Sequence, residues 1–177
     1  LETRGDTMIL KDKVVLVTGS GAGIGEAIAV AMAEAGAQVI SADIDGDAAQ
    51  KTADRAGEFQ VKTKAIQADV GDLDDIDRMV QATVDDFGRL DVICNNAGVT
   101  RRAFIMDLTE EDWDRIHRVN AKGVFFCLQR AATQMIAQGG GCIINTASIA
   151  GRGYAGTSNA AYAASKGAVI ALTRTAS

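Results

Sequence analysis

The chain has 177 residues, 47% hydrophobic and 23% charged, the size and balance of one folded domain rather than of a disordered segment or two independent catalytic units. Its net charge of −5, without any block of like charges, argues against nucleic acid or an anionic membrane as partner and favours a small polar molecule. Three cysteines with no C-x-x-C pair and a single histidine, His117, rule out a zinc framework, so no metal is expected. The apolar settings of Cys94, Cys127 and Cys142 predict buried, reduced thiols. No run reaches the roughly 18 apolar residues of a membrane span, and the start lacks a basic region followed by an apolar one, so a soluble cytoplasmic protein is expected. Residues 1–7, ahead of Met8, read as a vector remnant, with a single domain over 8–177.

Residues 13–19 (KVVLVTG) form a β-branched run ending in glycine, as a strand buried on both faces reads. An alanine-rich helix is predicted over 24–35, closed by Gly36. Strands follow at 38–43 and 62–69 with a helix at 47–56 between them. From Asp72 apolar residues recur at three and four, predicting a helix that Gly88 stops. A fourth strand is expected at 90–95. Thr109 with Asp112 resembles a capping box opening a helical stretch to about residue 138. A fifth strand at 142–146 and a last helix beginning near Asn159 complete the pattern. Alternating strands and helices with short connections predict a Rossmann-type doubly wound parallel α/β sheet in three layers.

The first turn reads Gly19, Ser20, Gly21, Ala22, Gly23, Ile24, Gly25. Its glycines let the backbone approach a pyrophosphate, and the following helix N-terminus supplies unpaired N–H groups and a positive dipole end. No lysine follows, so it is not a P-loop. Asp43, followed by Ile44, ends the second strand at the spacing where an acidic residue accepts from an adenosine ribose and would repel a 2'-phosphate. No Arg or Lys lies between Thr18 and Gln50, so NAD is favoured over NADP. The alternative is that Asp43 or Asp45 simply starts a turn.

Tyr162 and Lys166 are four residues apart on a predicted helix and so share a face, and Ser148 follows the fifth strand. Taken with TGSGAGIG at 18–25, NNAG at 95–98 and Asn120, the YAASK run at 162–166 makes the chain resemble the classical short-chain dehydrogenase/reductase family. The VTRR stretch at 99–102 is similar to that of its 3-oxoacyl carrier-protein reductases. The resemblance implies that Tyr162 is the general acid/base, its phenolate favoured by Lys166 and by the nicotinamide charge, since a free tyrosine titrates near pH ~10. It implies that Lys166 holds the nicotinamide ribose, Ser148 orients the substrate oxygen and Asn120 holds a water linking Lys166 to solvent. Asp69 and Val70 would sit against the adenine, and Asn96, Ala97 and Gly98 would line the cofactor cleft. Read without the resemblance, Asn120, Asn95, Asn96 and Ser148 would only cap helices or make turns. His117 and Trp113 receive no catalytic role.

Relatives of this type ordinarily continue past a fifth strand, so the fold is expected to be cut short after it, as part of a longer protein. The reading that follows is an NAD-preferring oxidoreductase acting on a secondary alcohol or ketone. The alternatives are a 3-oxoacyl carrier-protein reductase using NADPH, whose acidic partner Arg101 and Arg102 could meet, or a non-catalytic dinucleotide-binding module. The resemblance also implies a homo-oligomer, usually a tetramer.

Overall fold

Five strands, β1 (Val14–Thr18), β2 (Gln38–Asp43), β3 (Thr63–Gln67), β4 (Val92–Asn95) and β5 (Cys142–Asn145), form a parallel sheet in the order β3-β2-β1-β4-β5. The computed structural model describes residues 8–154 and 159–177. The expectation for residues 1–7 lies outside the described residues, as does part of the glycine-rich stretch at 151–157.

β1 is buried at every position because it lies between β2 and β4 and is covered on both faces. Its side chains alternate. Val14 and Leu16 join Ile40, Ile93 and residues of helices α3 (Leu73–Phe87) and α5 (Val124–Gln138), including Ile76, Met79 and Cys127. Val15 and Val17 face the other way, onto Ala29 and Ala33 of α1 (Gly23–Glu34) and Ala56 of α2 (Gly46–Gly57). Each fully buried Val, Leu or Ile contributes about 1.5–3 kcal/mol over leaving it exposed. The doubly wound, three-layer architecture follows from this two-sided burial.

Cysteine burial follows position in the sheet. Cys94 on β4 and Cys127 on α5 are buried, and burial pushes their thiols up to about 11 and about 12, the neighbouring Cys142 adding to the first. Cys142 is exposed, against expectation, because it lies on the face of β5 opposite Ile143, which packs against the core.

The helical stretch expected from Thr109 is present and consists of three contiguous segments. α4 (Glu110–His117) opens with the predicted capping box, in which Thr109 Oγ1 accepts from the Asp112 N–H and Asp112 Oδ2 from the Thr109 N–H, both at 3.2 Å. A π-helical stretch, Arg118–Gly123, then leads into α5. Hydrophobic spacing cannot reveal the wider turn, since its cause is packing elsewhere: a Cβ on Gly123 would lie 2.6 Å from the Val70 carbonyl oxygen, and Arg118 pairs with Asp69 at 2.9 Å. The last helix is α6 (Ala160–Thr175).

Asp91 joins the start of β1 to β4. Only 7% exposed, it accepts from the Val14 N–H at 2.9 Å and takes a two-pronged bond from Arg89 at 2.8 and 2.7 Å, with Lys13 3.7 Å away. Burial works against its charge, but Arg89, the Val14 N–H and Lys13 outweigh it and hold the carboxyl below the usual carboxylate range. Because the folded-state value is the lower one, this stabilisation is complete above about pH 4 and is lost as pH falls through the folded pKa. Asp91→Ala is expected to cost about 2 kcal/mol at neutral pH, near the low end for a buried pair because Arg89 is half exposed. The urea midpoint of the variant should fall, with the gap to the native protein narrowing in acid; equal midpoints at neutral pH would rule out the anchoring role.

Candidate active site

Strand order reverses between β1 and β4, where a doubly wound sheet opens a crevice beyond its C-terminal strand ends. Thr18 ties these ends together: its Oγ1 accepts from the N–H groups of Asn96 (3.1 Å) and Ala97 (3.2 Å), and Asn96 Nδ2 donates to the Thr18 and Gly19 carbonyls. The cleft there, about 380 Å³, is lined by Gly19, Ala22, Ile24, Asp43, Ile44, Ala68, Asp69, Val70, Asn96, Ala97, Gly98, Val99 and Val119.

The glycine turn is set mostly by contacts inside the protein. Gly19 has φ +63°, and a Cβ there would lie 2.6 Å from Ala97 Cα; one on Gly25 would lie 2.0 Å from the Gly19 carbonyl oxygen. The Gly21 N–H donates to Asp43 Oδ2 at 2.8 Å, and fully buried Ser20 bonds Ser41 Oγ at 2.7 Å. Ser20, Gly21, Gly23 and Gly25 thus shape the turn, while Gly19 and Ile24 form the cleft wall. Asp43 has both sequence-derived roles within reach. It faces the cleft, and its oxygens also accept from Gly21 and, at 3.0 Å, from Asp45, which in turn caps α2.

One observation tests whether this cleft fits a dinucleotide. Asp45, Asp72, Thr109 and Asn159 cap α2, α3, α4 and α6 with side-chain oxygens. α1 starts after Ala22 with no side-chain cap, and Ala22 and Ile24 line the cleft. A helix end left without a side-chain acceptor, beside a cleft, is a fitting donor set for a pyrophosphate. Farther along, Asp69 Oδ1 accepts from the Gly71 N–H at 2.8 Å and Oδ2 from Arg118, which holds the carboxylate at the cleft wall beside Val70.

Tyr162 and Lys166 lie on α6, with the Lys166 Nζ 5.9 Å from the Tyr162 ring centroid. Lys166 is 3% exposed and donates to the Thr146 carbonyl at 2.6 Å; burial pulls its pKa below the usual lysine range. It abuts the cleft, since a Cβ added to Gly98 would stand 3.6 Å from Nζ. Ser148 caps the 3-10 turn Ile149–Arg152, its Oγ accepting from the Ala150 N–H at 3.2 Å, which leaves its O–H to donate. It lines a depression with Gly151, Arg152, Ile170 and Arg174.

Asn120 lies near Lys166, since its Oδ1 and the Lys166 Nζ stand 3.3 and 3.6 Å from the position a Cβ on Gly98 would take. Fully buried in the π-helical stretch, its Oδ1 accepts from the Val99 N–H at 2.7 Å, and Nδ2 donates to the Val99 carbonyl (2.9 Å) and Ser165 Oγ (3.1 Å). With those bonds made, the amide pins the cleft wall to α6. Arg101 is paired with Asp112. His117 stacks on half-exposed Trp113 at 4.0 Å.

Three contributors escaped the sequence reading. Thr18 and Val99 carry no chemical signal of their own. Asn159 does: an asparagine directly before an alanine-rich run is a helix-start signal, and its Oδ1 accepts from the Tyr162 N–H itself, at 2.8 Å. Among the described residues no group of three His, Cys, Asp or Glu side chains could hold a metal, and no helix is long and apolar enough to cross a membrane.

Comparison with known proteins places these features in context. The short chain dehydrogenase signature matches residues 13–177. A 3-oxoacyl-[acyl-carrier-protein] reductase of Thermotoga maritima is 40% identical over 169 residues, covering 95% of this chain and 68% of that protein. A (2S)-[(R)-hydroxy(phenyl)methyl]succinyl-CoA dehydrogenase subunit of Thauera aromatica is 38% identical, covering 94% of this chain and 66% of that protein. Among solved structures, an NAD+-bound xylitol dehydrogenase superimposes with a TM-score of 0.90 at 39% identity, over 95% of this chain and 65% of that one. Levodione reductase superimposes with a TM-score of 0.89 at 34% identity, over 94% and 66%. The chain thus spans about two thirds of the length of these relatives.

Proposed function

Given that the chain belongs to the short chain dehydrogenase family, we propose that it is an oxidoreductase that interconverts a secondary alcohol and a ketone with NAD as preferred cofactor. The observation that carries this reading is the buried Lys166 ammonium 5.9 Å from the Tyr162 ring, against the wall of a cleft whose neighbouring helix end lacks a side-chain cap. A purely structural nucleotide-binding module has no need of a buried ammonium at that wall beside a tyrosine ring.

The α1 N-terminus, Asp43, Ile44, Asp69, Val70 and the 96–98 backbone would hold the dinucleotide, with Lys166 at its ribose. Held there, the dinucleotide would supply the hydride acceptor for oxidation of the alcohol and the hydride donor for reduction of the ketone. Tyr162 Oη takes the hydroxyl proton during oxidation and gives it back during reduction. Ser148 donates its O–H to the same substrate oxygen, and the Lys166 charge stabilises the negative charge that develops on the tyrosine oxygen. Asn120, by holding Val99 and Ser165, keeps the cleft wall and α6 in register. A cytoplasmic homo-oligomer belongs to the same proposal; Phe125 and Ile136, exposed on α5, suit a subunit contact.

The 3-oxoacyl reductase relative supports a second reading, with an acyl thioester ketone and NADPH. Cofactor choice separates the two. Asp43 on the cleft wall, and the absence of Lys and Arg over 18–50, predict that NAD+ raises the melting temperature more than NADP+ at equal concentration. Asp43→Ala should narrow the difference. In the same samples a panel of secondary alcohols and ketones should turn over faster with NAD(H). Equal thermal shifts would remove the Asp43 argument, and faster turnover of acyl thioester ketones with NADPH would favour the second reading.

A further inference from the structure

Asn159 is 8% exposed and uses both ends of its amide. Its Oδ1 caps α6 by accepting from the backbone N–H of Tyr162 at 2.8 Å. Its Nδ2 donates to Thr100 Oγ1 at 3.0 Å and to the Arg101 carbonyl. The loop it grips is continuous with the cleft wall at Gly98 and Val99, and Asn120 holds Val99 from the other side by both its N–H and its carbonyl. Arg101, in turn, is paired through its side chain with Asp112 at the start of α4. One side chain therefore connects the peptide of Tyr162 directly to the loop that continues the cleft wall.

We infer that Asn159 is a positioning residue: it fixes the Tyr162 phenol relative to the 98–101 wall, and so sets the distance between the proton-transfer group and whatever lies in the cleft. The inference rests on the oxidoreductase reading above. A cap alone would need only an oxygen acceptor, which Asp, Ser and Thr also provide. The amide NH₂ is what a cap does not use, and here it is spent on the loop. Proton transfer depends steeply on placement, so loosening this link should slow turnover without unfolding the helix.

Two variants separate cap from clamp. Asn159→Asp keeps an acceptor for the Tyr162 N–H but cannot donate to the Arg101 carbonyl; Asn159→Ala loses both functions. Melting temperature, amide hydrogen exchange at Tyr162 and across 99–101, and kcat and KM are measured on each. For Asn159→Asp, native-like melting and Tyr162 protection are expected, with exchange across 99–101 faster by about tenfold and kcat lower by about tenfold at nearly unchanged cofactor KM. Asn159→Ala should show the same loss of kcat together with faster exchange at Tyr162. Native kcat in Asn159→Asp, or unchanged exchange across 99–101, would reduce Asn159 to a helix cap and overturn the inference. If the native protein turns over no alcohol or ketone with either cofactor, the oxidoreductase reading fails on its own, and the exchange comparison still decides whether the clamp exists.

Discussion

Tyr162→Phe is expected to lower kcat by about 10³-fold while NAD binding persists. The substitution removes only the phenolic oxygen. The ring, and the backbone that positions it, are retained, because the Tyr162 N–H is held by Asn159 and its carbonyl accepts from Ser165 Oγ at 2.8 Å. Stability should therefore change by less than about 1 kcal/mol, which distinguishes a lost proton-transfer group from a misfolded enzyme. The measurement is kcat and KM beside a cofactor titration and a thermal melt. Undiminished turnover would end the assignment of Tyr162 as acid/base, and with it the main distinction from a non-catalytic dinucleotide-binding protein.

Lys166→Met should have the second-largest effect, lowering kcat by about 10²–10³-fold and weakening cofactor binding by about tenfold. Methionine roughly fills the same volume but removes the ammonium that stands 5.9 Å from the Tyr162 ring. Stability should move differently from activity. Burial depresses the Lys166 pKa, so folding bears a cost for keeping this group charged. That cost is complete below the folded pKa and lifts as pH rises toward the ordinary lysine value of about 10.4. The variant should thus melt at or above the native temperature at neutral pH, with the difference closing in alkali. Retained kcat combined with a large loss of stability would instead make Lys166 a structural residue that supports the Thr146 carbonyl. Such a trade, in which a group destabilises the fold and serves the reaction, is common at active sites.

Different parts of the site were legible to different degrees. The glycine turn was visible because glycine is demanded by local geometry, as at Gly19 with its positive φ and Gly25 with no room for a Cβ. The Tyr162 and Lys166 pair was visible because a spacing of four puts two side chains on one helix face. The Thr109–Asp112 capping box was visible for the same local reason. Asn120 could be picked out by resemblance, but the use of its amide could not, because its partners Val99 and Ser165 are 21 and 45 residues away. The π-helical stretch was invisible because apolar residues on either side of it keep nearly helical spacing.

The sequence by itself determined what depends on neighbours along the chain: the alternation of strands and helices, the glycine turn, the helix caps and the spacing of the chemical groups. Tertiary structure decided what depends on distant partners. It joined Thr18 to Asn96 at the reversal of strand order, brought Gly123 against Val70 and Arg118 against Asp69, and tied Tyr162 to the cleft wall through Asn159. The division is physical. Backbone torsion and side-chain period act over a few residues, whereas satisfying a buried amide or carboxylate requires whichever polar group the folded chain brings within about 3 Å.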